Sequence, residues 1–166
     1  EYSPDGQLPT VSWVDGGTLD MVRACGVEVV SSADLYQAAL TTWSADALRS
    51  HRVACEHVVE VKDAAFEFIS TALEQGTEPT EFEVQQIIDG ELTRRGLDTD
   101  HPAIVAVNAN SGDPHYAPDS ASALPIGRDD WVLIDLWARL PGEENIFGDI
   151  TWVGFTGPNL PKSHGA

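Results

Sequence analysis

Basic residues are scarce in this chain. Of 166 residues only nine are Lys or Arg against 27 Asp and Glu, for a formal net charge of −18, and the two lysines are Lys62 and Lys162. Like charge repels phosphate-rich partners, so nucleic acid and anionic membrane surfaces are excluded as partners. Cysteine is nearly absent too. Cys25 and Cys55 show no CxxC spacing, which argues against a zinc site or a disulfide framework and leaves two buried free thiols as the expectation. No apolar run approaches the roughly 18 residues of a membrane span, and no signal-peptide pattern opens the chain. The expectation is a cytoplasmic protein. The first residue is Glu1 and not methionine, as in an excerpt of something longer.

What is present describes a folded globule. Apolar residues make up 42% and tryptophans number five, enough to fill a core in a chain of this size. The acidic excess is spread along the chain and reads as a solubilising surface.

The periodicity changes along the chain. Val11–Val14 and Val27–Val30 read as short strands around a helix that Thr18 caps and Gly26 stops. Residues 31–34 open a helical segment to about Thr42. A long helix is expected from Ala45 to Gln75, with Leu48, Val53, Ala54, Val58, Val61, Ala65, Phe68, Ile69 and Ala72 as its apolar stripe. Gly76 ends it. Thr80 and Glu83 fit a capping box for a second helix to about Arg95, stopped by Gly96. His51 and His57 lie six apart on the long helix and do not share a face as metal ligands would, so they read as solvated or packing residues. Residues 102–107 form a buried strand, Asn108–Pro118 a turn-rich loop with His115 and Tyr116 at its centre, and 119–130 a polar connector. A long helix, a second helix and then antiparallel strands make an α+β fold.

The most informative stretch is Trp131 to Gly157, two apolar strands joined by a polar loop at Pro141-Gly142. Each strand carries one aspartate where an apolar residue is expected, Asp135 and Asp149. Carboxylates brought together across a ladder destabilise it unless a proton or cation sits between them. The pair therefore suits a metal site of hard oxygen ligands. Spacing alone fits equally well a strand-ending aspartate and a loop aspartate.

With both aspartates placed, the order of elements resembles the pita-bread metallopeptidases, which include Xaa-Pro aminopeptidases, prolidases, methionine aminopeptidases and creatinase. The resemblance runs from Ser44 to Gly157. It is carried by the long helix with Asp63-Ala64-Ala65-Phe66, by Thr80-Glu81-Phe82-Glu83-Val84 and by Pro114-His115-Tyr116. Val132-Leu133-Ile134-Asp135 and Gly148-Asp149-Ile150-Thr151 carry it most specifically. It implies the first half of a pita-bread fold over residues 43–166, two helices plus an antiparallel sheet. Residues 1–42 would be the tail of a preceding small α/β domain and a linker.

The resemblance also implies roles. Asp135 would ligate one divalent ion, Asp149 would bridge two (Mn before Co or Zn), and His115 would contact a peptide substrate. A histidine and two glutamates that complete the metal site in the family have no counterpart here, and His164 is no substitute. The Asp135–Asp149 spacing is wider than usual, and Trp152 stands where many relatives carry arginine or another polar residue. The resemblance therefore implies an Xaa-Pro-type aminopeptidase or dipeptidase present as an incomplete half, inactive alone, which would form a homodimer or associate with the missing half. Two other readings are a non-catalytic pita-bread module that binds a protein partner and a creatinase-like C–N hydrolase.

Overall fold

A computed structural model describes residues 2–6 and 13–160. The chain divides into two compact units, Glu1–Ser44 and Ala45–Ala166.

In the first unit the described residues form a 3-10 turn and two helices, α1 (Gly16–Ala24) and α2 (Ala33–Leu40). The cap of α1 is Asp15, not Thr18. The Asp15 carboxylate accepts the Thr18 amide at 3.0 Å and the Thr18 hydroxyl at 2.7 Å, a stronger acceptor than a hydroxyl for the free amides of a first turn. Val27–Val30 is not a strand. An apolar β-branched run becomes one only where a partner takes up its backbone groups, and no strand lies among the described residues of this unit. Of the other expected strand, Val11 and Ser12 lie outside the described residues, while Trp13 and Val14 are irregular. Both cysteines are free, but Cys25 is exposed and Cys55 half-buried, so neither is the buried thiol expected.

The second unit opens with α3 (Ala45–Glu74) and α4 (Glu81–Arg94). Gly76 and Gly96, both at positive φ, end them where the sequence placed the stops. The capping box at Thr80 and Glu83 forms in both directions. Three strands follow, β1 (Ile104–Val107), β2 (Trp131–Ala138) and β3 (Gly148–Phe155), antiparallel in the order β1-β2-β3. Strand β2 alternates strictly: Val132, Ile134, Leu136 and Ala138 are buried under the helices, and Leu133, Asp135 and Trp137 face the other way, half-exposed.

The core joins these residues to Val58, Val61, Ala65 and Ile69 of α3 and to Val84, Ile88 and Leu92 of α4. The buried stripe of α3 starts at Ser50 and Ala54, while Leu48 and Val53, expected inside, are exposed. Close approach of β3 explains this. Ser50 Oγ accepts the Ile146 amide at 3.3 Å and His51 Nδ1 donates to the Phe147 carbonyl at 2.7 Å, so small or polar residues hold the contact line there. No helix among the described residues is long and apolar enough to cross a membrane.

Gly90 lies in the interior of α4, and a Cβ added there meets nothing within 4 Å. Gly90→Ala is therefore expected to stabilise the domain by about 0.5–1 kcal/mol, by restricting the unfolded chain and raising helix propensity. Urea denaturation with an unchanged m-value is the check.

Candidate metal centre

The sheet face turned away from the helices carries the two aspartates. Asp135 pairs with Thr151 across β2 and β3, and Asp149 pairs with Trp137. The carboxylates are thus on the same face, diagonal neighbours two residues out of register, a relation that places side chains roughly 7–8 Å apart. Thr151 Oγ1 donates to Asp135 Oδ1 at 2.7 Å and fixes that carboxylate. The Asp149 carboxyl is raised from its ordinary value, first by partial desolvation and then by the Asp135 charge. A cation between the two would relieve that repulsion.

A pocket of about 270 Å³ opens beside Asp135, lined by Ile104 and Ala106 of β1, Leu133, Thr151 and the backbone turn from Ser111 to Pro114. Neither Asp149 nor His115 lines it. His115 is exposed one residue beyond its rim, its amide donating to Asp113 Oδ1 at 2.9 Å. The fold therefore unites the two aspartates on one face and leaves His115 on the loop above it. Among the described residues no group of three or more His, Cys, Asp and Glu side chains converges as a ligand set. The donors fit part of the coordination sphere of a hard divalent ion.

One acid on the supporting side has a role that no local sequence signal reveals. Glu81, 0% exposed, accepts from the Val107 amide (2.7 Å), Asn110 Nδ2 (2.9 Å), the Leu124 amide (2.8 Å) and the Tyr116 hydroxyl (2.5 Å). Beside Glu83 at a helix start it looks like one more acid suited to the helix dipole, and only the tertiary partners distinguish it. Burial, then the Glu81 hydrogen bond and charge, push the Tyr116 phenol up to about 12. Because the folded value is raised, the stability that Tyr116 contributes is complete below the unfolded value of about 10. It is lost as pH rises through about 12. An ultraviolet titration is expected to show a phenol ionising near 12, and Tyr116→Phe to delete that step.

The profile of metallopeptidase family M24 matches residues 49–164, which spans α3 from its second turn, α4 and all three strands. The chain belongs to this family. Solved structures agree on the fold. A recombinant prolidase from Thermococcus sibiricus superposes with a TM-score of 0.61 at 20% identity, covering 89% of this chain and 38% of its own. The prolidase of Pyrococcus horikoshii OT3 gives 0.59 at 25% identity, with 89% and 40% covered. An X-prolyl aminopeptidase from Caenorhabditis elegans, described as a cytosolic enzyme with a di-nuclear active site, gives 0.64 at 22%, with 77% and 21% covered. No curated protein matches. The chain thus spans from about a fifth to two fifths of these enzymes' lengths. Its helices and three-stranded antiparallel sheet are a part of the pita-bread fold.

Proposed function

We propose that the outer sheet face is one half of a two-ion hydrolytic centre, in a cytoplasmic enzyme that cleaves the peptide bond preceding proline as an aminopeptidase or dipeptidase. The reading is carried by one observation: Asp135 and Asp149 share the outer face of the β2–β3 hairpin at diagonal register. Asp135 would hold one ion and Asp149 would bridge to a second. When bound, two such ions supply an activated water as nucleophile and polarise the scissile carbonyl. Carboxylate donors suit Mn²⁺ before Co²⁺ or Zn²⁺. Thr151 orients Asp135 through its hydroxyl. His115 is suited to donate a hydrogen bond to the substrate oxygen as negative charge develops on it.

Two carboxylates fall short of the coordination such an ion requires, so the remaining ligands come from another segment or another copy, and this chain alone is expected to be inactive. Exposed Val153, beside half-buried Leu133 and Phe155 on the same face, gives an apolar surface for that association. Calorimetric titration of the chain with Mn²⁺ at neutral pH tests the proposal. Tight binding of about two ions per chain means an oligomer completes the site, and Xaa-Pro peptides should then be cleaved. Weak binding that depends on Asp135 and Asp149 identifies a half-site. Heat identical for the wild type and for Asp149→Asn would sink the reading.

A further inference from the structure

A fully buried carboxylate with four neutral donors and no cation among those partners is costly to keep, and Glu81 is such a group. Its two oxygens divide their work. Oε1 receives the Val107 amide at the end of β1 and Asn110 Nδ2 in the following turn. Oε2 receives the Tyr116 hydroxyl and the Leu124 amide, with Asn110 Nδ2 also within 3.2 Å. Both ends of the loop between β1 and the connector are thereby tied to the first residue of α4, itself held when the Glu81 amide donates to the Leu124 carbonyl at 3.0 Å. His115 sits inside this span, next to Tyr116, and Pro114 on its other side lines the pocket beside Asp135.

We infer that Glu81 is a positioning residue of the site: its buried carboxylate fixes the Asn108–Tyr116 loop so that His115 is held over the face carrying Asp135 and Asp149. The inference rests on the proposed role of that face and of His115. An amide in place of the carboxylate keeps the shape but reverses half of the pattern. Glu81→Gln can keep Oε1 for Val107 and Asn110, but its N–H then faces the Leu124 amide, which loses its acceptor, and the Tyr116 hydroxyl must turn from donor to acceptor, so the connections on the His115 side are the ones weakened.

The test uses the full chain, labelled for NMR, with the His115 imidazole assigned by its loss in His115→Gln and with substoichiometric Mn²⁺ as the relaxation probe. In the wild type the His115 signals should broaden as Mn²⁺ occupies the aspartate face. In Glu81→Gln the His115 shift should move and the broadening should fall at least several-fold, while the Mn²⁺ dissociation constant stays within about twofold. Equal broadening in both proteins would overturn the inference. So would a loss of broadening that merely follows a loss of Mn²⁺ affinity, the result expected of general loosening. Failure of the wild type to bind Mn²⁺ would instead refute the two-ion reading. The His115 shift then decides alone, and an unmoved signal overturns the role of Glu81. Should Glu81→Gln not fold, Tyr116→Phe removes one donor and keeps the other three. It should displace His115 in the same way to a smaller extent, and an unmoved His115 signal there also overturns the inference.

Discussion

Gly148→Ala is expected to destabilise the second unit by about 2–3 kcal/mol, near the upper end of overpacking penalties, and to lower Tm by roughly 4–12 °C in a protein of this size. The added Cβ would lie 2.6 Å from the Cys55 amide nitrogen, 2.7 Å from the Ala54 carbonyl carbon and 2.9 Å from the Cys55 Cα. All three are backbone atoms of α3 and cannot swing away. Gly154 provides the internal comparison. A Cβ there comes within 2.5 Å of Phe66 Cε1, but that contact is with a half-buried ring able to turn, so Gly154→Ala should cost less. Gly148 also precedes Asp149, and pushing β3 off the helix moves that carboxylate. The variant should therefore lose Mn²⁺ affinity as well as stability, whereas Gly154→Ala should keep most of its affinity. Chemical denaturation and metal titration of the two variants make the comparison. Equal losses of stability would refute the assignment of the cost to helix backbone.

Asp149→Asn should act in opposite directions with and without metal. Metal affinity is expected to fall at least about 100-fold, since even residues outside the coordination sphere cost 10- to 100-fold when changed. In the absence of metal the same change removes the repulsion from Asp135 that, after burial, raises the Asp149 carboxyl. A surface pair of this kind is worth at most about 1 kcal/mol, so Tm should rise by roughly 1–3 °C. The sign follows from the raised folded value. The stability associated with Asp149 is complete below the unfolded carboxylate range and is lost as pH rises through the folded value. The asparagine variant should therefore lose that part of the pH dependence. Thermal melts at several pH values, with and without Mn²⁺, separate the effects, and destabilisation in both conditions would argue against a shared charge site.

The second unit was the more legible half because its signals are periodic. Apolar spacing of three and four marked α3 and α4, glycines and a Thr-Glu capping box set their ends, and the apolar run Trp131–Ile134 before Asp135 marked β2. The first unit offered short β-branched runs, and Val27–Val30 shows that such a run becomes a strand only with a partner, which no local signal supplies. The α3 stripe erred at Leu48 and Val53 for a related reason. Which side of a helix is covered depends on where the sheet docks, and Ser50 and Ala54 meet the start of β3. At the candidate site, two aspartates in apolar strands stood out by type. Their diagonal offset depends on hairpin register, which the residues from Arg139 to Phe147 do not encode visibly. Glu81 was illegible because its partners lie 26 to 43 positions away.

The meeting of α3 with the start of β3 also has a kinetic side. The hydrogen bond from His51 to the Phe147 carbonyl joins positions 96 apart, while the β2–β3 hairpin and the α3–α4 pair are each built from neighbouring segments. Closing so long a loop costs chain entropy before the contact returns anything. Interactions made late in folding raise the unfolding barrier and scarcely change the folding rate. The seam at Gly148 therefore governs how long the assembled domain lasts, more than how fast it forms.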